Sequence, residues 1–298
     1  LGLDLLFATA VSQSLGGGVA PIAFTGSYVM APLAIIFGGN QRQKEKYLTQ
    51  MSNNSIRIGV GFSQYIGARD NSTIEINNNK ISGRSLFVLD AKEASHLMLS
   101  DANGVIGLVS TNSSGVEIVE LTAVDKTRSY SEVILNNVDI DVLEQTMSSK
   151  DAINKAVDGG RIILAADSIG ASQRLIDKAV AYSKERKQFG RVIGSFQAVK
   201  HMCAEMASDL EPCYALVWHA AYCFDNSPDE ARLMACHAKS HVSEISKMIA
   251  KKATEVHGGM GFTDLMGVHY WFKRIGVNRH ILGAPELVRE EAANIQNF

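Results

Sequence analysis

The chain has 298 residues, a formal net charge of −2, 46% hydrophobic and 20% charged residues. This is the balance of a globular protein with a sizeable core, long enough for two or three domains. The near-neutral charge excludes nucleic acid as the main partner. No apolar run reaches a bilayer span, and no charged n-region precedes a cleavable apolar stretch. Cys203, Cys213, Cys223 and Cys236 form no C-x-x-C pair. They read as small buried hydrophobes of a reducing, cytoplasmic compartment. The chain opens on Leu1 rather than Met, and whether residues precede it stays open.

Three segments follow one another, predicted at 1–54, 55–148 and 149–298. In the first, Leu3, Leu6, Ala10, Gln13 and Gly17 keep a helical step that breaks at Gly16-Gly17-Gly18. Pro21 marks a loop, and Tyr28 to Phe37 reads as a second helix. Asn40 is placed to cap a third, over 41–51. The triple glycine lacks the preceding strand that a phosphate loop needs, so it reads as a helix stop.

The second segment turns to strands. The alternating run at 73–76 meets Asn77-Asn78-Asn79, and Lys80 to Leu89 resumes it. A run at 96–99 leads into Asn103-Gly104, a strong hairpin signal, and then Val105 to Ser110. Runs at 116–121 and 132–135 complete a predicted small antiparallel barrel or sandwich.

The third segment is helical again. Ile162, Ala165, Ile169, Ser172, Ile176 and Ala179 step by three and four, as do Cys203, Met206, Leu210, Cys213, Val217, Ala220 and Phe224. A gapped stripe runs from Leu233 to Val256. Long helices with short loops predict an antiparallel bundle, with Pro212 kinking or breaking its helix. The fold class is therefore α+β, mainly α: helices, then strands, then a helical bundle. His237 and His241 share a helix face but lack the H-E-x-x-H glutamate, Ala238 standing there, so no metal site is expected. Lys247, Lys251 and Lys252 read as a solvated face.

Two stretches carry a specific resemblance. Tyr182-Ser-Lys-Glu-Arg-Lys-Gln-Phe-Gly-Arg191, followed by Ile193-Gly-Ser-Phe-Gln-Ala-Val-Lys-His201, resembles the helix–loop–helix segment of acyl-CoA dehydrogenases. Val256-His-Gly-Gly-Met-Gly-Phe262 resembles their Gly-rich loop, and Gly83-Arg-Ser-Leu-Phe-Val-Leu-Asp-Ala91 is a looser match. The resemblance covers nearly the whole chain, except the front of the family's N-terminal helical domain, and so implies a partial N-terminal helical domain, a barrel-like central β domain and a C-terminal four-helix bundle.

The resemblance implies FAD, bound across a subunit interface by Arg186, Gln188, Phe189, Gln197, Gly258 and Gly259. Those residue types suit such a ligand. A guanidinium can fork onto a pyrophosphate, an aromatic can pack on a ring, and glycines let backbone N–H groups approach phosphate. Phe87 matches an aromatic that flanks the flavin, and Val88 follows it. Leu89 stands where the family often has a hydroxyl. Glu255 replaces a usual glutamine before the Gly-rich loop and would sit badly beside a pyrophosphate.

The family dehydrogenates an acyl-CoA thioester, a carboxylate taking the α proton while a hydride leaves the β carbon. That carboxylate usually stands where this sequence has Leu282, or where it has Gly160, directly before Arg161. Glu286 and Asp158 are nearby acids, both read first as helix-start residues. The resemblance thus implies an FAD-dependent acyl-CoA oxidoreductase, or alternatively a catalytically silent subunit that completes a partner's FAD site. It also implies a homo- or hetero-oligomer, and an electron-transferring flavoprotein as acceptor. Fatty acid or steroid side-chain degradation is the expected setting, the shortened acyl pocket suiting a bulky substrate.

Overall fold

The computed structural model describes residues 4–67 and 73–298; Leu3, the start of the first predicted stripe, lies outside them. The chain divides into two compact units, 1–20 with 161–298, and 21–160.

The first unit begins with α1 (Leu5–Gly17), where Asp4 accepts the Phe7 N–H at 2.9 Å. Its other helices are the long α4 (Asp151–Glu185, from residue 161 onward), α5 (Gln197–Asn226), α6 (Pro228–His257), α7 (Val268–His280) and α8 (Pro285–Ile295). Pro228 and Pro285 stand in the first turns of α6 and α8, where a missing N–H costs nothing. Gly258, with φ +58, ends α6. Pro212 does not break its helix: α5 runs unbroken through it. One lost hydrogen bond is tolerated because the flanking turns bury Leu210, Cys213 and Val217.

Polar groups fix how these helices meet. Arg274 on α7 donates to both oxygens of Asp167 on α4, at 2.9 Å through Nε and 2.7 Å through Nη2, and both side chains are almost wholly buried. Asn278 adds a bond to the same carboxylate at 2.7 Å. The Arg274 Nη1 also reaches the Ala20 carbonyl at 2.9 Å, and the Trp271 indole reaches that of Gly17 at 3.0 Å. Lys239 of α6 donates to the carbonyls of Asn278 and Arg279, closing the last turn of α7. Where α1 crosses α4 the backbones touch. A Cβ at Gly16 would land on the Asp167 carbonyl, and one at Gly170 on that of Gln13.

In the second unit a π-helical turn (Phe24–Met30) leads into α2 (Ala31–Gly38), so the predicted second helix starts earlier and in a wider winding. Asn40 caps α3 (Gln41–Ser52) in a reciprocal capping box with Gln43. The strands are β1 (Ile58–Gly61), β2 (Thr73–Asn77), β3 (Lys80–Leu89), β4 (His96–Ser100), β5 (Ile106–Ser110), β6 (Val116–Leu121), β7 (Tyr130–Asp139) and β8 (Asp141–Val142). They form one sheet ordered β6-β7-β3-β1-β4-β5-β8, with β2 paired to β3.

The sheet is mixed rather than purely antiparallel, because β1 and β4 run parallel from Ile58↔His96 to Gly61↔Leu99. No sequence pattern announces β1. All four of its residues are buried, so no alternation marks it. Its glycines are there for contact: a Cβ at Gly61 would press within 2.8 Å of Leu99, Ser85 and Val88. Both hairpins form as expected. Asn78 and Asn79 take φ +50 and +56 between β2 and β3, and Asp101 accepts the Asn103 and Val105 N–H groups, each at 2.9 Å. The sheet's core is aliphatic, from Ile74 and Ile81 to Val133 and Ile140.

Substituting Gly170→Ala tests the α1–α4 crossing. Overpacking there should cost about 1–3 kcal/mol in denaturant unfolding. An unchanged midpoint would show that α1 is not held by this contact.

Candidate active site

Two of the stretches that carry the resemblance lie in the first unit, and the Tyr182–His257 pair links them. After α4 ends, Lys187–Gln188 (β9) pairs with Arg191–Val192 (β10) in a tight turn. Phe189 and Gly190 at its tip have φ +53 and +76. The Tyr182 ring, one turn before the end of α4, stacks on His257 at the end of α6, with centroids 4.7 Å apart. That stack places the turn with Arg186 and Gln188 beside the loop with Gly258 and Gly259.

His257 is buried, and its Nδ1 bonds the Ala253 carbonyl at 2.7 Å, so its other nitrogen is the acceptor. That Nε2 is buried without a hydrogen-bond partner among the described residues. Burial lowers the His257 pKa, helped by the Lys178 charge, against the raising effect of the backbone bond. At Gly258 and Gly259 a Cβ would meet nothing within 4 Å, so open space faces this backbone.

The remaining loop groups face outward. Arg186, Gln188 and Gln197 are exposed, Phe189 is 92% exposed and Phe262 82%. Glu255 is exposed and lies 3.9 Å from Lys251 one turn back, a surface pair.

The strand match lies in the second unit. The β3–β7 register shifts between Ser85 and Val88, a bulge that leaves Phe87 at φ +54. For an aromatic residue this backbone is strained, and it turns the ring out of the sheet, 37% exposed, while Val88 is fully buried.

Three residues on, Asp90 also has positive φ, at +58. It lines a cleft of about 580 Å³ bounded by Ile22, Tyr28, Arg57, Lys126 and Arg128. Burial pushes its pKa up to about 6, against the lowering effect of Arg128. Sequence reasoning missed this acid. Its signal was an aspartate at the end of a long strand, indistinguishable there from a turn residue.

The candidate base positions are both without a carboxylate. Leu282 sits at φ +59 between α7 and α8 and is 6% exposed. Its carbonyl accepts from Arg161 Nε at 3.0 Å, and Arg161 continues to Glu291 at 2.8 Å. Burial raises the Glu291 pKa, but hydrogen bonding and charge from Arg161 and Arg232 outweigh it and hold the group below its ordinary value. This ionic anchor fixes the Leu282 loop. Gly160 precedes Arg161 on α4.

Of the two nearby acids, Glu286 is exposed in the first turn of α8 and pairs with Arg279 at 2.7 Å. Its own backbone N–H and Arg279 lower its pKa, which makes it a weak proton acceptor. Asp158 is buried in α4.

Asp90 gives a signed pH prediction. Its folded pKa of about 6 lies above its ordinary 3.8. The folded state thus holds the proton more tightly, and a destabilising cost accrues as pH rises from about 4 to 6. Asp90→Asn should raise stability by about 1–3 kcal/mol at pH 7.5 and leave it unchanged at pH 3.5. Equal effects at both pH values in denaturant titrations would contradict the assignment.

Comparison with known proteins places the fold among acyl-CoA dehydrogenases. The acyl-CoA dehydrogenase C-terminal domain profile matches residues 151–295. The chain is 28% identical to the caffeyl-CoA reductase–Etf complex subunit CarC of Acetobacterium woodii, over 82% of this chain and 69% of that protein. Among solved structures it resembles the Tcur3481–Tcur3483 steroid ACAD G363A variant, with TM-score 0.87, 24% identity, and 99% and 82% of the two chains covered. It also resembles PigA with FAD and proline, with TM-score 0.89, 19% identity, and 100% and 83% covered.

Proposed function

Because this chain belongs to the acyl-CoA dehydrogenase family, we propose that it is an FAD-binding subunit of an acyl-CoA oxidoreductase whose proton acceptor comes from a partner chain. The observation that carries this is Leu282: an apolar, buried side chain at the loop position where the resemblance expects a carboxylate, anchored by Arg161. Gly160 leaves the second position without a side chain.

FAD is the cofactor, supported by the family and by a structural neighbour solved with it. Bound FAD supplies the hydride acceptor for the β carbon. This chain's residues fit it by chemistry. Arg186 offers a fork for a pyrophosphate, Gln188 and Gln197 offer amide hydrogen bonds, and Phe189 offers an apolar face. The open backbone at Gly258–Gly259 and the orphaned His257 nitrogen suit a bound polar group. Phe87 is assigned to the flavin ring, whereas the Val88 side chain is buried in the sheet core and leaves only its backbone for that role. The exposure of Arg186, Phe189 and Phe262 supports a site completed by a second chain.

The partner reading draws support from the neighbour whose name joins Tcur3481 and Tcur3483, and that name also supports a steroid acyl-CoA substrate. The relative named as part of an Etf complex supports an electron-transferring flavoprotein as acceptor.

A thioester α proton does not leave without a positioned base, whose contribution is typically about 10²–10⁴-fold. The FAD-loaded chain alone should therefore show little or no anaerobic bleaching with a panel of fatty and steroid acyl-CoA thioesters, while addition of the partner restores it. Rapid bleaching by the chain alone would overturn the proposal. Asp90→Asn and Asp158→Asn would then show which acid serves.

Arg186→Ala should weaken FAD retention about 10- to 150-fold, the loss of one charge-assisted hydrogen bond of about 1.5–3 kcal/mol. Unchanged flavin content after gel filtration would remove Arg186 from the site.

A further inference from the structure

We propose that His219, Cys223 and Glu230 form a zinc site that pins the turn between α5 and α6. His219 and Cys223 are four residues apart on α5 and share a face. Glu230 stands in the first turn of α6, across Asn226-Ser227-Pro228. The three ligand atoms lie within 4.8 Å of one another, a grouping of N, S and O donors drawn from two helices.

The spacing matches the metal. Zn–S and Zn–N bonds of about 2.3 and 2.05 Å at a tetrahedral angle put sulfur and nitrogen about 3.5 Å apart, and sulfur and a carboxylate oxygen about 3.6 Å. Cys223 Sγ is 3.5 Å from His219 Nε2 and 3.9 Å from Glu230 Oε2. The exposed Glu230 side chain closes the remaining gap by a small rotation.

The turn is short and held in place. The Ser227 N–H bonds the Cys223 carbonyl at 2.8 Å, Glu230 N–H bonds the Ser227 carbonyl at 3.0 Å, and Pro228 fixes the entry to α6. The donors are thus largely placed before a metal arrives.

Binding is a ligand exchange without electron transfer. The Cys223 S–H bond breaks, its proton passes to solvent, and a Zn–S bond forms. His219 binds as the neutral imidazole through Nε2, Glu230 binds as its carboxylate, and water takes the fourth position. One thiolate and one carboxylate neutralise the dication. The mixed soft and hard donor set suits zinc rather than calcium or magnesium.

The site stands apart from the flavin motifs. Gln197 lies 22 residues before His219 on α5, and Gly258 lies 28 residues after Glu230, just past α6, which puts them about 33 and 42 Å away along the helices at 1.5 Å per residue. The metal's role is to hold the hairpin, so the result of its test is independent of the FAD assignment.

The test uses the full chain, stripped with a chelator and titrated with Zn²⁺ against a chromophoric competitor. One zinc per chain is expected, together with a rise in melting temperature. Co²⁺ in its place should give a thiolate-to-metal charge-transfer band. His219→Gln and Cys223→Ser should each weaken zinc at least tenfold, and Cys223→Ser should also abolish the band, whereas Cys203→Ser keeps both. His219 and Glu230 are exposed, so His219→Gln and Glu230→Gln should fold by circular dichroism even if Cys223→Ser does not. Absence of stoichiometric zinc, or zinc held equally well by His219→Gln, would overturn the proposal.

Discussion

The buried pair of Arg274 and Asp167 is the contact on which the arrangement of the helical unit depends. Arg274 uses its guanidinium three ways: a two-pronged fork onto the Asp167 carboxylate, and a further bond to the Ala20 carbonyl just past α1. Asn278 and Ser168 complete the cluster. Two charges taken out of water are tolerated only when paired and bonded this fully, and removal of one partner typically costs about 3–5 kcal/mol. The pair makes the position of α7 against α4 discrete. A slide of one turn would strand a buried charge.

That discreteness extends to the loop that concerns chemistry. α7 is closed by Lys239 on its terminal carbonyls, and the next residues are Ile281, Leu282 and Gly283. Arg161 takes the Leu282 carbonyl from the α4 side while α8 supplies Glu291. The loop is built with a left-handed residue and an ionic anchor, yet the side chain it presents is a leucine. On the proposed function, the scaffold of a base position is kept without its carboxylate, and the chain is one part of a larger catalytic unit.

Much of the fold was legible because it rests on local rules. The Asn40 cap, the paired asparagines at 78 and 79 and the three-and-four stripes of α4 and α5 each state their structure in a few neighbouring residues. What stayed hidden depends on distant packing. β1 has no alternation because both faces are covered, and Pro212 is carried by the burial of its neighbours. The raised pKa of Asp90 comes from burial that no local pattern reports. His219, Cys223 and Glu230 meet only because a tight turn folds α6 back on α5. The motif residues Arg186, Gln188, Phe189, Gln197, Gly258 and Gly259 were legible as types. The stack of Tyr182 on His257, which draws their two loops together, was not.

The central claim is that this chain lacks a base for the α proton, and proton exchange addresses it without any need for hydride transfer. The FAD-loaded chain would be incubated with a saturated acyl-CoA thioester in D₂O and the recovered thioester weighed by mass spectrometry. The account predicts α-deuteration no faster than the protein-free blank. Deuterium gained well above that blank by the chain alone would contradict it.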